Sequence, residues 1–468
     1  MANTEQRLMQ LPLEKLKLLL QAQKKSDSHD VPEAQVFERN ETNRYPMSSG
    51  QQRLWVIQQY EPDSAAYHIA TAITIHGKLN IQALQHSLNE TLKRHESLRT
   101  SLIAEEESPC QYVSLHCEIA IPFIELQHGS SDERKVAWEQ LVEQEIAKPF
   151  DLTRAPLIRL LLTQLNGSEY KLLFVMHHIV ADGWSFGVLV KEIAALYESY
   201  SKNGAAALPP LVHQYVDYSL WQREYLQSEV YRSHLGYWKN TLAGALPLLS
   251  LSTDHARSAA QTYKGEVYSF RLTHALTKSL EKLAQEEGVT LFMLLIVAYA
   301  ILLGRYSQQH DILIGTPVAG RNRKEWEGLI GYFVNTLVIR ADLSDSPSFK
   351  QLLAKIKKIS LEAFDHQDVP FEKIVEALQM ERNTSYQPIV QVQFALQNTP
   401  KTKVNVDALV FEMEELDTKT SKFDLSLTMQ YNQKGLLADL QYATDLFNRE
   451  TIERMGTHFI TIIEAMVS

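Results

Sequence analysis

Apolar positions along the chain switch between a period of two, as in half-buried strands, and a period of three to four, as in amphipathic helices. Residues 68–76 alternate and predict a strand, whereas Ile81, Leu84, Leu88 and Leu92 share one face of a helix over 81–95. Residues 133–147 then read as a helix and 156–164 as a strand. The apolar run 171–175 reads as a buried strand, and the spacing over 186–193 opens a helix that should end near Ser201. In the second half, 265–272, 312–318, 389–397, 423–431 and 436–442 have strand character. Helical spacing marks 274–287, 290–306, 347–364 and 447–466, and a further helix should start at Tyr215. Strands and helices interleave throughout, which predicts an α/β (mixed) architecture.

A chain of 468 residues is too long for one core of ordinary size, so two lobes are expected. Leu11, Leu13, Leu16, Leu18, Leu19 and Leu20 lie among charged residues and predict a short helix, so 1–44 reads as an N-terminal helix and linker. Residues 202–210, with Gly204, three alanines and Pro209-Pro210, read as a surface connection between an N-terminal lobe, 45–210, and a C-terminal lobe, 211–468. The apolar run 291–303 is too short to span a membrane and reads as a buried core helix. The first thirty residues lack the apolar core of a signal peptide. A net charge of −10 argues against a nucleic-acid partner. The two cysteines, Cys110 and Cys117, are a poor basis for a disulfide scaffold or a zinc site. Such usage fits a reducing, cytoplasmic setting.

Candidate chemistry concentrates in Met176-His177-His178-Ile179-Val180-Ala181-Asp182-Gly183-Trp184-Ser185, which joins the strand at 171–175 to the helix after it. Successive side chains of a strand face opposite sides. If the two histidines are still extended, one lines a channel while the other packs inward, where its nitrogens need partners. Asp182 suits a helix N-cap or an ion pair, and Ser185 a cap or a channel wall. Trp184 suits the core. Gly183 suits a turn that a Cβ would hinder, and its amide, near a helix start, can face a developing oxyanion.

His177-His178-Ile179-Val180-Ala181-Asp182-Gly183 matches the HHxxxDG signature of the condensation-domain superfamily, built like chloramphenicol acetyltransferase. Six further stretches resemble condensation-domain motifs in the same order. They are Ser49-Gly50-Gln51-Gln52-Arg53-Leu54-Trp55, Arg94-His95-Glu96-Ser97-Leu98-Arg99-Thr100, Tyr215-Val216-Asp217-Tyr218, Ile330-Gly331-Tyr332-Phe333-Val334-Asn335-Thr336, His366-Gln367-Asp368-Val369-Pro370-Phe371-Glu372 and Arg382-Asn383-Thr384-Ser385-Tyr386-Gln387-Pro388. The chain is therefore similar to a condensation domain of a nonribosomal peptide synthetase from about residue 45 to its end.

The resemblance implies two chloramphenicol-acetyltransferase-like lobes in a V, with a tunnel between them and the histidine motif midway. It implies an amide-forming acyltransferase. Upstream donor and downstream acceptor peptidyl carrier proteins would deliver thioesters on 4'-phosphopantetheine, beside an adjacent adenylation domain. The domain itself would bind no cofactor and no metal, and the excised domain is expected to be monomeric. His178 is the implied catalytic group, with His177, Asp182, Gly183, Arg321 and Arg99 supporting it. In the family the aspartate pairs with a late arginine, which Arg321 best matches. Trp184, Ser185, Asn335 and Gln393 are the expected tunnel-lining residues. A metal site of His177, His178 and Asp182 is disfavoured because neighbouring histidines diverge and further ligands at zinc spacing are missing. Heterocyclisation domains carry aspartates where this chain has histidines. Epimerisation domains share HHxxxDG but have other downstream signatures. The motif looks most like the subtype joining two L-configured partners, although Ala181 and Tyr386-Gln387-Pro388 depart from its commonest form. The Met1 start leaves room for a starter domain that attaches a fatty acyl group. A noncatalytic, partner-recruiting domain is the remaining alternative.

Overall fold

A computed structural model describes residues 31–468 apart from 106–107, 127–128, 203, 205–207, 245, 381–382, 398–402, 407–408 and 433. The helix expected near the N-terminus, part of the 202–210 connection and Arg382 lie outside the described residues. In chain order the strands are β1 (Arg44–Pro46), β2 (His68–His76), β3 (Thr100–Ile103), β4 (Cys110–Val113), β5 (Phe123–Glu125), β6 (Ile158–Asn166), β7 (Glu169–His177), β8 (Gly265–Thr273), β9 (Asp311–Val318), β10 (Asn335–Asp342), β11 (Val392–Gln397), β12 (Lys403–Val406), β13 (Leu409–Glu415), β14 (Leu425–Asn432) and β15 (Gly435–Ala443). They form two six-stranded sheets, β12-β13-β2-β7-β6-β5 and β10-β9-β11-β14-β15-β8, and a small sheet, β1-β4-β3. The two large sheets, clothed in helices, give the α/β (mixed) architecture that the interleaved pattern predicts.

The first sheet buries both faces, so its central strands are apolar almost throughout. Ile73, Ile75, Leu172, Phe174 and Met176 face one core, shared with helices Ile81–Arg94 and Gly183–Ser201. Ala72, Leu173 and Val175 face the other, with Trp138 of helix Ser131–Ala147. The second sheet packs on Leu291–Ser307, whose middle is buried on every side, as expected of the apolar run there. Among the described residues no single helix is long and apolar enough to cross a membrane.

The two halves interlock across the connection expected at 202–210. β13 pairs antiparallel with β2, from Val410 opposite His76 to Glu415 opposite Thr71, and so extends the first sheet with residues from the last quarter of the chain. Tyr215, Tyr218, Trp221, Trp326, Tyr332 and Phe333 also join the core of that sheet. The physical reason is the same in both places. β2 would otherwise present an open edge, and that face would lack its aromatic cover.

Candidate active site

β7 carries the histidine pair to the end of the sheet and stops there. The His177 amide donates to the Leu157 carbonyl (3.0 Å) and the His178 amide to the Tyr67 carbonyl (2.8 Å). Residues His178–Val180 then make one turn of 3-10 helix. The two histidines are therefore not both extended, so alternation does not set their directions, yet the two imidazoles have different surroundings. His177 is buried and meets the rings of His68 and Phe150 edge-on at 6.0 and 6.2 Å. Its Nδ1 accepts from the Ile179 amide (3.1 Å), so its proton sits on Nε2, 3.3 Å from Gln58 Oε1.

His178 is half-buried and carries the opposite tautomer. Its Nδ1 lies 2.8 Å from the Ala181 carbonyl, which only accepts, so Nδ1 holds the proton and Nε2 keeps its lone pair. The Tyr332 ring stands edge-on to the imidazole, centroids 5.0 Å apart. Burial first, and then the positive charge of Lys422, push the His178 imidazole well below the ordinary histidine range. The ring is therefore neutral near pH 7, fixed by one nitrogen and with a free lone pair at the other.

Asp182 is the N-cap of helix Gly183–Ser201 and a partner of Arg321 at once. Its Oδ1 accepts from the Ser185 amide (2.9 Å) and hydroxyl (2.8 Å). Its Oδ2 accepts from Arg321 Nη1 (2.6 Å) and the Phe333 amide (3.1 Å). Both charged side chains are at most 1% exposed. Arg321 Nη2 also donates to the Leu329 carbonyl (3.1 Å), and its guanidinium lies 4.1 Å over the Phe333 ring. With its oxygens so engaged, Asp182 ties the histidine loop to residues 320–333. Among the described residues no three His, Cys, Asp or Glu side chains are grouped so as to hold a metal ion.

Several expected site residues sit elsewhere. Trp184 is 39% exposed, not core, and its indole N–H donates to the Glu327 carbonyl (2.9 Å). The helix dictates this, because position 184 falls on its outer face. Ser185 is fully buried in the cap. A Cβ on Gly183 would meet nothing within 4 Å, so the glycine is not required by crowding. Arg99 bonds the Ser114 carbonyl and approaches Glu96 (3.9 Å), partners outside the histidine motif. Gln393 lies in the middle of the second sheet, opposite Gly315 and Ser426. Asn335 is a clamp. Its Nδ2 donates to the carbonyls of Gln367 (2.8 Å) and Val369 (2.7 Å), and its Oδ1 accepts from the amides of Thr336 and Phe371 (both 2.9 Å).

A narrow cleft with a volume of about 30 Å³ is lined by Ser48, Gly50, Tyr332, Asn335, Asp368 and Glu372, among others. Of the expected tunnel-lining residues Asn335 reaches it, whereas Trp184, Ser185 and Gln393 are not on its wall. Tyr332 joins this cleft to His178. The same region holds four groups that sequence reasoning did not single out: Arg53, Tyr67, Tyr332 and Lys422. Arg53 and Tyr332 stand inside recognisable motifs and were open to notice. Tyr67 and Lys422 lie in stretches with no chemical signature, and only folding brings them to the histidines.

The Condensation domain family profile matches residues 41–468. A linear gramicidin synthase of Brevibacillus parabrevis is 45% identical over 438 residues, 93% of this chain. This chain spans only 8% of the length of that relative. The X-domain from teicoplanin biosynthesis superposes with a TM-score of 0.85 at 26% identity, covering 93% of this chain and 97% of that one. Holo-AB3403, a four-domain nonribosomal peptide synthetase bound to AMP and glycine, superposes with a TM-score of 0.81 at 25% identity, covering 95% of this chain and 34% of that one. The geometry around His178, the ordered motifs and these likenesses agree: the chain belongs to the condensation-domain family.

Proposed function

We propose that this domain forms an amide between two carrier-bound substrates. An upstream peptidyl carrier protein presents an acyl or peptidyl group as a thioester on 4'-phosphopantetheine. A downstream carrier, served by an adjacent adenylation domain, presents an aminoacyl thioester whose free amine attacks. The nitrogen adds to the donor carbonyl, the carbon–sulfur bond breaks, and the donor thiolate leaves. The proton shed by the nitrogen passes to His178 Nε2 and from there to the thiolate. A thioester is already activated, so no acyl-enzyme is needed. The phosphopantetheine arms belong to the carriers, and the domain contributes residues alone.

The observation that carries this reading is the His178 tautomer. Ala181 holds the proton on Nδ1 and leaves Nε2 able to accept one. General-base catalysis of this kind is worth ~10²–10⁴ in rate. The test is a single turnover between two separately loaded carriers, one charged with an acyl or peptidyl donor and one with an amino acid, read by mass spectrometry. The amide should appear on the acceptor carrier. Carriers that bind without forming it would overturn the reading.

A further inference from the structure

Lys422 lies in the loop before β14, half-buried, with its Nζ 4.8 Å from the centre of the Tyr67 ring. Tyr67 is also the residue whose carbonyl receives the His178 amide (2.8 Å). The loop is pinned on both sides of the lysine. The Ser421 amide donates to the Tyr263 carbonyl (2.8 Å), and Gln261 Nε2 donates to the Lys422 carbonyl (2.9 Å). Among the described residues Lys422 has no carboxylate within ion-pair distance. Asp424, two residues on, is taken by Arg257, and Asp182 by Arg321. A second cation, Arg53, shares the region, bonding Gln387 Oε1 at 3.3 Å.

A lone ammonium held by a fixed loop beside an aromatic face is a costly arrangement unless its charge is used. We infer that Lys422 is a positioning residue of the condensation centre, whose charge keeps the acceptor's amine in its neutral, nucleophilic form beside His178. This rests on the amide-forming reading and deepens it. An amine entering beside the Lys422 ammonium, which has no carboxylate partner among the described residues, gives up its proton more readily than in water, as a lysine does next to another cationic group. His178 then has only to accept a hydrogen bond, and later a proton, at Nε2.

Burial shifts most of the groups facing this site toward their uncharged forms. The imidazoles of His177 and His178 are held neutral, by burial first. Burial also raises the phenols of Tyr67, Tyr263 and Tyr332 and the carboxyls of Glu61 and Glu372. Lys422 itself is pushed down to about 8, by burial and then by Arg53. Its charge is thus present at neutral pH, where the amine needs help, and fades above pH 8, where the amine does not.

The experiment is the same single turnover run across roughly pH 6–9.5 on the whole chain, with Lys422→Gln and Lys422→Arg beside the wild type, and circular dichroism checking that each folds. An ordinary α-amine, with a pKa of about 8, is only about one-tenth neutral at pH 7. Lys422→Gln should therefore be slower by up to about tenfold at pH 7, converge on the wild type near pH 9, and shift the midpoint of its profile upward. Lys422→Arg should keep the wild-type midpoint. A loss equal at every pH, or no loss at pH 7, overturns the inference while wild-type turnover leaves the amide-forming reading intact. No amide from the wild type overturns both.

Discussion

A carbonyl oxygen can only accept, so the contact between His178 Nδ1 and Ala181 decides where the imidazole proton lies and which nitrogen meets the substrate. His177 is fixed by the opposite logic, because the Ile179 amide can only donate. One adjacent pair thus carries opposite tautomers, and strand alternation does not account for it, because β7 ends at His177 and His178 opens a turn of 3-10 helix. The roles of its neighbours were legible only in part. Gly183 looked like a crowded turn, yet nothing stands within 4 Å of an added Cβ. Gly183→Ala should change stability by no more than about 0.5 kcal/mol in urea unfolding. A larger loss would show that the turn does need glycine. Asp182 is the contrary case. Asp182→Ala leaves the Arg321 guanidinium buried without its carboxylate and should cost about 3–5 kcal/mol of unfolding free energy. A variant of full stability that makes no product would instead place Asp182 in the chemistry. Trp184 misled because its apolar bulk suggested core, whereas helical phase turns it outward.

At the scale of elements, the strand-to-helix passage holding the motif was readable because its signals are local: an apolar run, a cap, a helical period. Helix Gly183–Ser201 ends where its spacing predicts. β10 was overlooked, although Leu337-Val338-Ile339 supplied an apolar run. β12 and β13 were harder. The alternation of Leu409, Phe411 and Met413 is visible, but the partner strand β2 lies more than three hundred residues earlier, and no local rule points to it. That hairpin seals the first sheet beside the strand that pairs with β7. Phe411, 1% exposed and opposite Ile75, is its anchor. Phe411→Ala should cost ~3–5 kcal/mol, measured by chemical denaturation. A cost under 1 kcal/mol would mean that the hairpin is an appendage and not part of the sheet.

For the molecule as a whole, buried neutral histidines make stability depend on pH. Burial lowers His68 to about 4, and His177 also lies well below its ordinary value. Below about pH 6.5 the unfolded chain binds protons that the folded chain refuses, so stability falls as pH drops. Each such histidine contributes up to ~1.4 kcal/mol per pH unit in that window. With His178 lowered in the same way, urea unfolding at pH 6.5 and pH 5 should differ by about 3–5 kcal/mol, and His177→Gln should remove roughly a third of that difference. Equal stability at the two pH values would mean that these rings are protonated in place. The division into lobes was only partly legible. Composition marked a connection near 202–210, but the aromatic residues after it and the β12–β13 hairpin return to the first sheet, because its open edge and face need covering.

The most direct test of the central claim is the single-turnover rate of amide formation for His178→Ala against the wild type, with both carriers loaded and both proteins shown to be folded. A bare Nε2 that receives the amine's proton predicts a loss of ~10²–10⁴ in that rate. A His178→Ala rate equal to the wild type's would contradict it.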